Sequence, residues 1–182
     1  MMQDLISTWA DEVRSYNKRL HLVSSGMEKN LEEQANQTME LVRRISEPEI
    51  GDLGSGSGFL GFLYKIVNPE STVYLIERSS KKCLFLRHAA DLLGLQNIEV
   101  IEADPLKQAV GPFPALMSRS FSPFERLPDA VLSAVSSPGR FYYFQTGTPM
   151  PVTHPRFQEN GRFFQVFRGY RLNLDAYLIA SR

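Results

Sequence analysis

The chain has 182 residues, 43% hydrophobic and 22% charged, with 20 Lys/Arg set against 20 Asp/Glu. That is enough for one domain with a sizeable core, and it argues against a disordered or fibrous chain. The single cysteine, Cys83, excludes an internal disulfide, and no run approaches the ~18 apolar residues of a membrane span.

Leu5, Trp9, Val13, Tyr16 and Leu20 recur at helical spacing and predict a first helix with Trp9 as a core anchor. A second helix is expected over 30–45, with Asn30 as its cap and Pro48 beyond its end. A strand then runs to Leu53, and a helix follows over 61–67, terminated by Asn68-Pro69. Thr72 to Glu77 reads as strand two. Ser79 or Ser80 caps a helix over 81–93, closed by Gly94. Ile98–Ile101 and Ala115–Ser118 read as strands three and four, 123–136 contains a helix, and Phe141–Phe144 is strand five. Two tail strands, 163–170 and 176–180, are predicted as an antiparallel pair with a turn near Asn173. The alternation predicts an α/β fold: a doubly wound, mostly parallel sheet with a terminal antiparallel hairpin and added N-terminal helices.

Chemistry concentrates in Ile50-Gly51-Asp52-Leu53-Gly54-Ser55-Gly56-Ser57-Gly58-Phe59-Leu60-Gly61, which reads as strand, glycine turn and helix start. Without Cβ atoms at Gly54, Gly56 and Gly58, the backbone can turn tightly and lie against a ligand. Two ligands compete. Gly56 to Gly61 fits G-x-G-x-x-G, the dinucleotide fingerprint. Asp52 to Gly58 fits acid-x-G-x-G-x-G, which resembles the first motif of methyltransferases that use S-adenosylmethionine. A carboxylate at Asp52 opposes an anionic pyrophosphate and favours a sulfonium and an ammonium. Glu77, 23 residues after Gly54 and at a strand end, is placed to accept hydrogen bonds from two ribose hydroxyls, which both ligands carry. Cys83 sits in a helical pattern and reads as a buried thiol.

The zero net charge hides an asymmetry. Residues 1–104 hold 11 Lys/Arg and 16 Asp/Glu, whereas 105–182 hold 9 and 4. Eight of those nine cations are arginines: Arg119, Arg126, Arg140, Arg156, Arg162, Arg168, Arg171 and Arg182. Such a half can meet RNA phosphates, or it can be a solvated surface.

Several segments together resemble the bacterial small-subunit rRNA methyltransferases that modify guanine N7, also called glucose-inhibited division protein B. They are Tyr16-Asn17-Lys18-Arg19-Leu20-His21-Leu22, the Asp52–Gly61 loop, Lys81-Lys82-Cys83-Leu84-Phe85-Leu86-Arg87, Leu93-Gly94-Leu95-Gln96-Asn97-Ile98, Ser118-Arg119-Ser120 and Gly139-Arg140-Phe141-Tyr142. The resemblance implies a Rossmann-like methyltransferase domain over 48–182 behind a helical extension over 1–47, with seven strands, the last antiparallel. It implies S-adenosyl-L-methionine held by Asp52, Gly54, Ser55, Gly56, Gly58, Phe59, Glu77, Ala103, Asp104 and Arg119, with Arg119 also catalytic and no metal. The implied partner is small-subunit rRNA or a ribosomal particle, met by a cytoplasmic monomer. Phe121 and Tyr143 are base-stacking candidates or core residues.

The chain departs from that family in places. Where members carry an Arg-His-x-x-Asp-Ser-like motif, it has Glu33-Gln34-Ala35-Asn36-Gln37-Thr38. Asp104-Pro105-Leu106-Lys107 replaces Arg-Ala-Glu-Glu, Phe144-Gln145-Thr146-Gly147 lacks the family lysine, and Leu60 replaces a loop proline. A divergent methyltransferase with another substrate, or a non-catalytic cofactor- or RNA-binding relative, are therefore the alternative readings.

Overall fold

The computed structural model describes residues 2–167 and 170–181. Its elements in order are α1 (Met2–Leu20), α2 (Ser25–Glu28), α3 (Leu31–Val42), β1 (Glu49–Leu53), α4 (Phe59–Val67), β2 (Thr72–Glu77) and α5 (Ser80–Leu92). Then follow β3 (Ile98–Glu102), β4 (Phe113–Arg119), a 3-10 turn at Phe124–Arg126, α6 (Leu127–Ala134), β5 (Val135–Thr146), β6 (Phe157–Phe167) and β7 (Tyr170–Ile179). The strands form one seven-stranded sheet in the order β3-β2-β1-β4-β5-β7-β6. β1 to β5 pair in parallel, and β7 runs antiparallel to both β5 and β6. The fold is thus a doubly wound, mostly parallel α/β sheet with an antiparallel strand pair at its end.

Strand side chains alternate between two cores, as a two-residue repeat requires. Val73, Leu75, Ala115, Met117 and Phe144 pack with α1, α3, α4 and α5. Ile76, Leu116, Phe141, Tyr143 and Tyr177 face the other way and pack with α6. The N-terminal helices share the first core: Ile6, Trp9, Val13, Leu31, Ala35 and Val42 are all buried in it. A polar knot ties the helix end to the sheet. Glu47 accepts from Arg140 Nη1 at 3.0 Å and from the Tyr142 hydroxyl at 2.6 Å, while Tyr64 bonds the Glu47 backbone.

The second face carries little helix. The connections 104–112 and 147–156 are irregular where an α/β unit usually inserts a crossover helix. Pro105, Pro112, Pro149, Pro151 and Pro155 explain this, since proline lacks the amide a helix interior needs.

Three local expectations change. Asn30 stands at the α3 N-cap, but its side chain makes no capping bond and donates instead to the Gly26 carbonyl. An additional short helix, α2, is capped by Ser24, whose Oγ accepts from Met27 N. The turn placed near Asn173 is not there. Asn173 lies inside β7, opposite Gln145 on one side and Phe164 on the other. It is fully buried, and its Nδ2 donates to Gly147 O at 2.8 Å. A tertiary partner outweighs the turn preference of asparagine.

Gly61 sets how closely α4 sits on β2. A Cβ there would lie 2.1 Å from Leu75 Cδ2 and 3.2 Å from Asp52 Oδ2. Leu75 is itself fully buried. Gly61→Ala is therefore expected to lower the unfolding free energy by about 1–3 kcal/mol, an overpacking cost. A urea melt with an unchanged midpoint would contradict this.

Candidate functional site

The carboxyl ends of β1, β2 and β4 meet at one edge of the sheet. Register pairs Leu53 with Ile76 and with Ser118, and Glu77 with Glu102. Between β1 and α4 the chain turns through three left-handed glycines: Gly54 at φ 75, Gly56 at φ 56 and Gly58 at φ 76. An L side chain is strained in that region, so the alternate glycines are what the turn requires. At Gly58 a Cβ would also collide with the Phe62 ring at 2.3 Å.

The turn is held from below and from the side. Gly54 N and Ser55 N donate to Ile76 O, Ser55 Oγ donates to Asp52 O, and Ser118 Oγ donates to Leu53 O. Asp52 is buried beneath the turn, with Oδ2 accepting from Gly61 N at 3.1 Å. Burial pushes its pKa up to about 7, opposed by the Gly61 amide and Ser55 and assisted by the nearby charge of Glu77. Asp52 is thus sealed beneath the turn, with its ionised form disfavoured. Glu77 forms the side support. Its Oε2 accepts from Gly56 N at 3.0 Å and its Oε1 from Ser79 N at 2.9 Å. Each oxygen retains a further lone pair for a hydroxyl donor.

Two cavities lie at this edge of the sheet. One, of about 560 Å³, lies past β2 and β3 and is bordered by Arg78, Ser79, Glu102, Ala103, Asp104 and Lys107. Ala103 N donates to Glu77 O, and Asp104 Oδ1 accepts from Leu106 N. The structure thus brings Ala103 and Asp104 beside Glu77. The other cavity, of about 530 Å³, lies between α2–α3 and the ends of β4, β5 and β7. Glu33, Gln34, Gln37, Thr38, Arg119 and Arg171 are among its walls. The segment that departs from the Arg-His-x-x-Asp-Ser pattern is therefore cavity wall.

Arg119 ends β4 at that wall, followed by Ser120 in a left-handed conformation (φ 55). Its guanidinium lies over Phe59, 4.3 Å from the ring centroid, and Nη2 donates to Gln34 Oε1 at 3.0 Å. Nη1 is the only buried side-chain N or O atom without a hydrogen-bond partner among the described residues. Burial lowers the Arg119 pKa to about 10, which still leaves the side chain cationic at neutral pH. An unmet buried donor on a cation is costly unless something accepts from it.

The other arginines divide. Arg126 pairs with Asp129, Arg140 with Glu47 and Arg162 with Asp175, while Arg156 donates to Ala180 O. Arg171 lines the second cavity and stacks on Phe164. Arg168 and Arg182 lie outside the described residues. Phe121 edges the α6-side core and comes within 3.8 Å of a Cβ built at Gly54. Tyr143 is core, packed against Phe141 and Phe124. Cys83 is buried, and burial pushes its thiol pKa up.

Two participants escaped the sequence reading. Trp9, expected as a core anchor only, also donates its Nε1 to Ser57 O at 2.9 Å, pinning α1 to the turn. Its ring meets Phe59 edge-on at 5.6 Å. Gln34 carried no signal beyond lying in the departing segment.

The sequence profile of one family, GidB, described as rRNA small subunit methyltransferase G, matches residues 2–150. Ribosomal RNA small subunit methyltransferase G of Geobacter sulfurreducens is 34% identical over 65% of this chain and 57% of its own length. The protein of the same name from Polynucleobacter asymbioticus is 36% identical over 66% of this chain and 53% of its own length. The chain thus spans little more than half the length of these relatives. Among solved structures, a SAM dependent methyltransferase from Aquifex aeolicus superposes with a TM-score of 0.58 at 12% identity, covering 80% of this chain and 89% of that one.

The buried Asp52 has a pH signature. Its folded pKa, about 7, lies above the ordinary 3.8. As pH rises through that window, the unfolded chain loses the proton first, so the group's contribution opposes folding increasingly. Asp52→Asn keeps an acceptor for Gly61 N and removes the titration. The stability difference between Asp52→Asn and wild type is expected to grow in favour of the variant from pH 4 to 7 and then level off. A difference independent of pH in chemical denaturation would overturn the assignment.

Proposed function

This chain belongs to the rRNA small subunit methyltransferase G family, and from that membership we propose that it is an S-adenosylmethionine-dependent methyltransferase acting on guanine N7 of small-subunit (16S) rRNA. The observation that carries this reading is Arg119: a cation on a cavity wall with one buried, unpartnered donor, stacked on the first residue of the helix after the glycine turn.

The cofactor side fits the residues present. Glu77 already holds the Gly56 amide, one of the loop donors that a pyrophosphate needs. With the Glu77 carboxylate at its side, the turn favours a sulfonium and an ammonium over a phosphate. Glu77 would take the ribose hydroxyls through its remaining lone pairs. Gly54, Ser55, Gly56 and Gly58 would supply the close backbone, Phe59 the apolar wall, and Ala103 and Asp104 the adenine end.

When bound, S-adenosylmethionine supplies an electrophilic methyl group, so an acceptor with a free lone pair, such as guanine N7, needs no general base. The protein's task is then to hold the acceptor in place and shut out water. Arg119 would donate to the acceptor, and Arg171 would meet phosphate at the cavity mouth. The extension, 1–47, would form the wall opposite the sheet, while 48–182 carries the cofactor. A monomer working in the cytoplasm completes the reading. A methyltransferase with a different acceptor is the second reading; the replacement of the basic motif by Glu33, Gln34, Gln37 and Thr38 on the cavity wall favours it.

The test has two stages. Trp9 is the only tryptophan and is bonded to the turn, so its emission should shift on titration with S-adenosylmethionine. Glu77→Ala should weaken that binding at least tenfold, the scale of a lost charge-assisted contact. Labelled cofactor should then methylate 30S subunits prepared without this modification. Arg119→Ala should slow transfer by about 100-fold, the scale of one removed charge-stabilising donor. Cofactor binding without transfer to 30S subunits, but with transfer to free nucleosides, would establish the second reading. Absence of cofactor binding would end both.

A further inference from the structure

Arg119 is held on two sides. Phe59 fixes the plane of the guanidinium, and the bond from Nη2 to Gln34 Oε1 fixes its rotation within that plane. Nη1 is left over, buried and without a partner. Gln34 reaches it from α3, 85 residues away in sequence. α3 is itself fixed, with Leu31 and Ala35 on either side of Gln34 fully buried in the core. The carboxamide is therefore presented by a rigid element, not by a loop.

The choice of partner matters chemically. A buried guanidinium commonly pairs with a carboxylate, which shares its hydrogens and cancels its charge. A carboxamide oxygen accepts the same hydrogen bond and carries no charge. Arg119 therefore keeps its positive charge at the cavity wall, while Nη1, sealed from solvent, stays unpaired.

We propose that Gln34 is a positioning residue: its neutral oxygen holds the Arg119 guanidinium over Phe59 at the wall of the cavity, without quenching the cation that the methyl acceptor meets there. This rests on reading the 530 Å³ cavity as the acceptor pocket.

Three variants separate orientation from charge. Gln34→Ala removes the acceptor. Gln34→Glu keeps the shape and the hydrogen bond but adds a neutralising charge. Gln34→His supplies a neutral acceptor nitrogen. Each is measured for kcat and KM on unmodified 30S subunits, for S-adenosylmethionine affinity, and for the Arg119 guanidinium ¹⁵N signals assigned by their loss in Arg119→Lys. Gln34→Ala should lower kcat by about 10- to 100-fold, the range for a bond to a charged group, with cofactor affinity within twofold. Gln34→His should restore most of that loss, and Gln34→Glu should not. The separate Nη1 and Nη2 signals of the wild type should merge in Gln34→Ala. Wild-type kcat in Gln34→Ala or in Gln34→Glu, or guanidinium signals unchanged in Gln34→Ala, would overturn the proposal. If the wild-type protein binds cofactor yet methylates nothing, the proposed function falls, and the guanidinium signals alone decide whether Gln34 holds Arg119.

Discussion

The first turn of α4 lies so close to β1 and β2 that the backbone amide of Gly61 meets the carboxylate of Asp52, with no room for a side chain between them. Much of the site follows from that approach. The chain must leave β1 and enter α4 within a few residues, which it does through left-handed glycines. The acid before the turn is thereby sealed under it, and its ionisation becomes expensive. Glu77, one strand over, takes up the amide of Gly56 and fixes the outer limb. A cradle results in which the amides of Gly54, Ser55, Gly56 and Gly58 are already taken, and this separates it from a phosphate-binding turn of similar sequence.

The N-terminal helices are more than a cover. Trp9 reaches the glycine turn, and Gln34 reaches the end of β4. Both are single hydrogen bonds from rigid helices whose apolar faces sit in the same core as the sheet. The cavity beside Arg119 lies between α2–α3 and the ends of β4, β5 and β7. Its floor comes from the strand ends and its roof from helices in the first quarter of the chain. Substitution in α3 can therefore reshape the cavity wall without touching the glycine turn, and Glu33, Gln34, Gln37 and Thr38 lie on that wall.

Most of the fold was legible because periodicity and punctuation agreed. The glycine turn, Pro48, Asn68-Pro69 and Gly94 mark boundaries that the structure keeps within a few residues. The error at Asn173 has a definite cause. Asparagine favours turns when its side chain must find a partner locally, and here the partner is a carbonyl 26 residues away. The site was half legible. Asp52, Glu77 and the glycines announce themselves by spacing, since one strand–turn–helix–strand unit contains the whole cradle. Trp9 and Gln34 do not, because their partners lie 48 and 85 residues away, and a hydrogen bond between distant segments leaves no periodic trace.

The sheet is shielded unequally. α1, α3, α4 and α5 cover one face, whereas proline-rich connections stand where two helices would cover the other, so β5, β7 and β6 rely on polar ties such as Arg162–Asp175, Gln145–Asp175 and Arg156 to the Ala180 carbonyl. Such ties exclude water less completely than a packed helix does. Amide hydrogens in this outer third should trade with solvent through local openings well below the global unfolding energy, while those of β1 and β2 wait for the whole domain to open. The molecule then has a stiff cradle and a looser flank. That flank includes Arg171, so one wall of the cavity beside Arg119 belongs to the less shielded part of the sheet.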